Sequence, residues 1–195
     1  MTRLPASERR RQLLDVALTE FGRHGYHTTA MTEIAGAAGV TKPVLYQHFE
    51  SKRDLYLEVL ADVGSRLREA VIGAAAAVED PREQVETGFR AFFEFFEASP
   101  ASFGVLYGDS SRVDADFAAE VAATESAIAE RIADLIAIGE LSTDVRRLLG
   151  HAIAGMAEAA VRHWYGEGSA ISTRELTDAI ATLAWAGLRG RGAEG

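Results

Sequence analysis

The residues best suited to chemistry lie in one short stretch, Thr41-Lys42-Pro43-Val44-Leu45-Tyr46-Gln47-His48, followed closely by Lys52. Hydroxyl, ammonium, phenol, amide and imidazole groups at this density can hydrogen-bond base edges and phosphate oxygens. Lys42 and Lys52 are the two lysines of the chain, and Arg9, Arg10 and Arg11 share their segment. Residues 1–54 carry 8 Lys and Arg against 6 Asp and Glu, a net +2; the remainder carries 12 against 23, a net −11, within a total of −9. A small anion-facing module on a larger acidic body is the organisation this asymmetry implies.

Other chemistries fare worse. His151, Glu158 and His163 share one helical stretch, but Glu158 and His163 are five apart and His151 lies two turns away, a poor spacing for a metal or an acid–base pair. An all-α hydrolase or lyase built on them is the rival reading. His24 and His27 flank Gly25, where a turn is expected. The chain has no cysteine, which removes thiolate metal sites and thiol nucleophiles. It has no G-x-S-x-G elbow, phosphate-binding glycine loop or H-E-x-x-H pair. The expectation is no enzyme, no cofactor and no metal. No stretch approaches the roughly 18 apolar residues of a membrane span, and the first residues have no uninterrupted apolar core, so a cytoplasmic protein without a membrane partner is expected.

The elements that must position these residues read as all-α, about nine helices. The first, about Ala6 to His24, carries Leu13, Leu14, Ala17, Leu18 and Phe21 on one stripe, with Gly22 and Gly25 flanking its end. A short second helix has Thr29 as N-cap, Met31, Ile34, Ala35 and Ala38 as its inner face and Gly39 as its stop. The third, Lys42 to Phe49, has Thr41 as N-cap and Pro43 in its first turn; Leu45 and Phe49 face inward. Ser51 and Asp54 box the fourth, which continues to about residue 70. This gives a module over 1–54 and a larger domain over 55–195. Gly73 to Asp80 reads as a junction, and Asp80-Pro81 starts the fifth helix; Ser99-Pro100 starts a short sixth through Tyr107. The seventh is expected over about Asp114 to Ile138, ended by Gly139, the eighth over Ser142 to Tyr165, and the ninth over Ser172 to Gly187 with Glu175 boxing it. The tail Arg189 to Gly195 reads as frayed.

A short helix, a glycine turn and a second short helix with polar outward residues form a helix-turn-helix, which lays its second helix in a major groove. Lys42, Val44, Tyr46 and Gln47 would then reach base edges or nearby phosphates, and Lys52 would clamp a phosphate. Phe21-Gly22, Gly25-Tyr26, Thr32-Glu33-Ile34-Ala35, Ala38-Gly39-Val40 and Leu45-Tyr46-Gln47-His48-Phe49-Glu50-Ser51-Lys52 with Leu55 make residues about 8 to 60 resemble the DNA-binding domain of the TetR family of transcriptional regulators. The resemblance implies phosphate contacts at Thr29 or Thr32, Tyr46, His48 and Lys52, base-edge contacts at Lys42, Val44 and Gln47, and a place for Thr41 on the same surface. It also implies a homodimer on double-stranded, pseudo-palindromic operator DNA, released by a small effector. The alternatives are an activator or a co-regulator without a small ligand.

The rest of the chain resembles the family only in helix count and order. From this follow an effector pocket with Phe92, Phe96, Phe103, Tyr107, Phe117, Glu158 and Trp164, suited to a hydrophobic or aromatic ligand. A dimer face on the eighth and ninth helices would use Gly150, Ala154, Gly155, Leu176, Ile180 and Leu183.

Overall fold

A computed structural model describes residues 5–110, 114–136, 141–166 and 170–192. Among them are nine α-helices and no strand: α1 Ala6–His24, α2 Met31–Ala37, α3 Lys42–Tyr46, α4 Lys52–Ala76, α5 Pro81–Ala98, α6 Pro100–Tyr107, α7 Ala115–Leu135, α8 Thr143–Gly166 and α9 Thr173–Gly192. They gather into two compact units, one of residues 1–64 with 99–121, the other of 65–98 with 122–195.

Local chemistry sets most boundaries. Ser51 Oγ accepts from Asp54 N at 3.0 Å while Asp54 accepts from Glu50 N at 2.9 Å, fixing the start of α4. Asp80 accepts from Glu83 N at 2.9 Å before α5, and Asp114 from Asp116 N and Phe117 N before α7. Ser172 and Glu175 exchange bonds through each other's backbone N–H ahead of α9. Several expected bounds move. Helix α3 stops at Tyr46 and does not reach Phe49, which lies beyond it with its amide donating to Leu45 O. Residues Gly73 to Ala76 belong to α4, because alanine favours helix more than any other residue. Helix α9 continues to Gly192 past the expected stop at Gly187, so the tail from Arg189 is helical that far. Helix α7 ends at Leu135, and Gly139 lies outside the described residues.

In the first unit, Leu13, Ala17, Phe21, Ile34, Leu45, Phe49, Leu55 and Leu60 form the core, each almost fully buried. Helix α6 crosses α1 without a side-chain layer between them. A Cβ on Gly22 would lie 2.5 Å from the Ala101 backbone, and one on Gly104 would lie 2.5 Å from Gly22 O. Gly22 is therefore a crossing point inside α1 and not a flank of its end. Tyr56 donates its hydroxyl to Val105 O at 3.1 Å, and burial pushes its pKa up, so it stays a donor. Tyr26 and Phe117 pack on Tyr56 with ring centroids 4.9 and 4.6 Å away.

In the second unit, Phe89, Phe92, Phe93 and Phe96 line the inner side of α5. Phe92 meets Phe96 edge-on at 5.2 Å. Tyr165 on α8 donates to Phe96 O at 2.5 Å, and Thr173 donates to Glu97 at the start of α9. Helices α7 and α8 approach closely at Gly150, where a Cβ would overlap Ala129 O.

Candidate nucleic-acid interface

The interface is built from the end of α1 upward. Gly25 takes φ +78°, a conformation glycine adopts without a Cβ penalty, and its N–H donates to Phe21 O at 2.8 Å. The chain then turns through residues 26–29. Thr29 is 1% exposed, and its hydroxyl donates back to Gly25 O at 2.8 Å. Thr29 thus secures the turn, and the N-cap of α2 falls to Ala30, whose N–H donates to the Glu33 carboxylate at 2.7 Å. Gly39, at φ +65°, separates α2 from α3, and Val40 N donates to Ala35 O at 2.9 Å.

Inward anchors at Leu45 and Phe49, 0% and 1% exposed, fix which side of α3 faces solvent. Thr41, Lys42, Tyr46 and Gln47 are exposed, Val44 and His48 half-buried, and Thr32 is exposed on α2. Thr41 occupies the N-cap position of α3, but its side chain makes no capping bond. Lys42 Nζ lies 5.7 Å from the centroid of the Tyr46 ring, a cation–π pair on the solvent side.

Lys52 is placed differently. Its ammonium donates to Tyr26 O at 2.9 Å, Thr29 O at 3.2 Å and His27 O at 3.4 Å, and it stands 4.5 Å from the Tyr26 ring centroid. The arginine run is paired along the surface. Arg10 pairs with Glu58, and Arg11 pairs with Asp62 and, at 2.6 Å, with Asp15, so the run ties α1 to α4. Arg9 donates to Gln12 at 2.6 Å.

Sequence reasoning missed Arg53. It pairs with Asp114 at 3.0 Å and with Asp116, and its guanidinium lies 5.2 Å from the Phe117 ring centroid. An Asp-x-Asp pair at a helix start was its one visible signal.

The residues expected to line an effector pocket fall into both units. Phe103 and Tyr107 meet at 5.7 Å on α6, and Phe117 packs among Tyr26 and Tyr56 in the first unit's core. Phe92 and Phe96 sit in the second unit's aromatic row. Trp164 donates its indole N–H to Ile171 O at 3.0 Å. Glu158 accepts from Arg162 at 2.7 Å and lies beside Glu125 of α7, a residue the sequence did not single out. Burial, and then the Glu158 charge, push the Glu125 carboxyl up to about 7. His151 is exposed, 3.9 Å from Glu130, and His163 is exposed near the end of α8. No group of three or more metal-ligating side chains occurs among the described residues.

The dimer-face residues also separate. Gly150 is buried against α7 and Leu176 is buried, so both are committed within their own unit. Ala154 and Ile180 are half-buried, while Gly155 and Leu183 are exposed, Leu183 by 62%. Leu148 is 68% exposed on α8. No helix among the described residues is long and apolar enough to cross a membrane.

Known proteins share both halves of this arrangement. Residues 13–59 match the model of the bacterial regulatory proteins of the tetR family, and residues 81–187 match a tetracyclin repressor-like C-terminal domain. The HTH-type transcriptional activator FasR of Mycolicibacterium smegmatis is 33% identical over 95% of this chain and 85% of its own. The HTH-type transcriptional repressor KstR2 of Rhodococcus jostii is 30% identical over 80% of this chain and 69% of its own. A solved TetR-like transcriptional regulator from Rhodococcus sp. RHA1 superposes with a TM-score of 0.78 at 30% identity, over 96% of this chain and 100% of the other.

Proposed function

We propose, from the premise that this chain belongs to the TetR family of bacterial regulatory proteins, that it represses transcription as a homodimer on a pseudo-palindromic operator and leaves that operator when a small apolar effector binds. As a family member it is a helix-turn-helix transcriptional regulator. The observation that carries the reading is the solvent face of α3, where Lys42, Tyr46 and Gln47 stand out while Leu45 and Phe49 lock the helix from behind. Lys42, Val44 and Gln47 read base edges; Thr32, Thr41, Tyr46 and His48 contact phosphates. Two such helices in a dimer must meet successive major grooves, about 34–36 Å apart or a multiple of that.

The dimer face is the exposed strip of α8 and α9, with Leu148, Gly155 and Leu183 at its surface and Ala154 and Ile180 at its edge. Small residues on α8 let a partner helix approach closely. An effector would have to part the buried row of Phe92 and Phe96 in the second unit, whose aromatic lining favours an apolar molecule. To move an operator-bound population from 1:99 to 99:1 it must discriminate between two states by about 5.5 kcal/mol. Activation is the second reading, favoured by the FasR relative, which is named as an activator.

The test is selection of bound duplexes from a random pool by the purified protein at near-physiological salt. An enriched inverted repeat supports the operator reading and supplies the probe for an effector screen. Salt-sensitive binding without enrichment refutes it. Placing the selected site across or upstream of a promoter then separates repression from activation.

A further inference from the structure

Helix α7 begins in the first unit and ends in the second: its residues up to Val121 belong to the former and those from Ala122 to the latter. Eight of its 21 residues are alanine and none is glycine or proline, so it is a stiff rod of about 31 Å. In the second unit it is set closely against α8, where Ala129 meets Gly150. Its first turn is fastened by Arg53, the second residue of α4. The guanidinium donates to Asp114 at 3.0 Å and to Asp116, and it lies 5.2 Å from the Phe117 ring centroid. Asp114 also accepts from the amides of Asp116 and Phe117, so the cation is tied to the cap of α7 itself. Phe117 packs in turn on Tyr56 at 4.6 Å and on Tyr26 at 5.0 Å. Tyr26 stands in the turn between α1 and α2, whose Thr29 amide and hydroxyl both donate to Gly25 O. A continuous path thus runs from the first turn of α7 to the entry of α2. With the Arg53 side chain 41% exposed and that of Asp116 67%, the ion pairs add little to overall stability. Their effect is on placement.

We propose that Arg53 is a positioning residue for DNA reading: by fastening the first turn of α7 to α4, it makes α7 hold the turn ahead of α2, so that a shift of α7 is felt by α2 and α3. This rests on the operator-binding function proposed above. Releasing α7 should therefore harm recognition of the operator and leave attraction to DNA at large intact.

Asp114→Asn combined with Asp116→Asn in the full-length protein removes both partners of Arg53, and asparagine retains the cap at position 114. The pair of changes removes two negative charges, so charge alone predicts tighter binding to every duplex. Loss of the tie predicts the opposite for the selected operator, about 3- to 10-fold weaker binding, with an unrelated duplex bound no less tightly. Unchanged or tighter operator binding overturns the proposal. Arg53→Gln should weaken operator binding by a similar factor with the salt slope unchanged. A phosphate contact made by Arg53 would instead weaken both duplexes and flatten the slope by about 0.9, which also overturns the proposal.

Hydrogen exchange in free protein gives a readout that needs no DNA. The Thr29 amide, 3.3 Å from Gly25 O, reports the turn, and the Ala17 amide reports the buried stripe of α1. The double asparagine variant should exchange faster than the parent at Thr29 and equally at Ala17. Equal acceleration at both marks Arg53 and its partners as a general stability element, and unaltered exchange at Thr29 shows that α7 does not hold the turn; either result overturns the proposal. If the unmodified protein prefers no duplex, it is the operator reading that fails, and exchange at Thr29 still decides whether α7 holds the turn.

Discussion

Replacing Glu125 with Gln should make the second unit more resistant to unfolding at alkaline pH and leave it nearly unchanged in acid. Glu125 of α7 lies beside Glu158 of α8, and the Arg162 charge, paired with Glu158, offsets the burial and repulsion at Glu125 only in part. With its folded pKa raised from 4.5 to about 7, Glu125 binds its proton more tightly in the folded chain than in the unfolded one. The stabilisation from that proton is fully present below 4.5 and is lost as pH rises through about 7. The full shift corresponds to roughly 3 kcal/mol, and solvent reaching a half-buried carboxyl reduces this to about 1–2 kcal/mol. Glutamine is neutral at every pH and retains a donor for Glu158. The difference in unfolding free energy between Glu125→Gln and the parent should therefore grow by about 1–2 kcal/mol from pH 5 to pH 8.5, in favour of the variant. Urea unfolding followed by tryptophan fluorescence is the suitable assay, because Trp164 and Trp185, the two tryptophans of the chain, both lie in that unit. Glu158→Gln should shrink the pH dependence by removing the neighbouring charge. A difference constant across pH, or one that favours the parent in alkali, refutes the argument.

The other expectations are simpler to state. Gly104→Ala places a Cβ 2.5 Å from Gly22 O, so α6 must lift from α1 at a cost of about 1–3 kcal/mol; an unchanged melting temperature would contradict the crossing. Gln47→Ala should relax preference at one operator position by roughly 1–3 kcal/mol, read by competition among base-substituted duplexes, and an equal loss on every duplex would remove Gln47 from base reading. Leu183→Glu puts a charge on an exposed apolar position of α9 and should shift sedimentation toward monomer; an unaltered dimer would move the interface elsewhere.

Features that depend on near neighbours were legible in the sequence. The Ser172–Glu175 box, the Asp80 cap and the left-handed Gly39 follow from a few adjacent residues, and the structure bears them out. The inner stripe of α1 was legible too, since Leu13, Leu14, Ala17, Leu18 and Phe21 recur at helical spacing. What was not legible depends on partners far along the chain. Lys52 has the sequence profile of a phosphate ligand, and only the fold brings the carbonyls 26, 27 and 29 to its ammonium. Gly150 and Gly155 look alike in a small-residue strip, yet at 100° per residue they point to different sides of α8, one against α7 and the other into open space. Arg53 and Glu125 escaped notice for the same reason, because their partners lie 61 residues away at Asp114 and on another helix at Glu158.

The pairing of cations near the N-terminus bears on how such a regulator would find its site on a chromosome. Arg10, Arg11 and Arg53 are paired with carboxylates, so three of the eight positive charges in the first 54 residues are offset within the protein. Sliding along a duplex depends on loose attraction to phosphates in general. On the operator-binding reading, cations already paired with carboxylates pull less on phosphates, so dwelling at each random encounter would be brief. The search then proceeds mainly by repeated three-dimensional trials, with little time lost on the many wrong sequences. Recognition, once the right site is met, must come from the fit of α3 to the bases more than from charge.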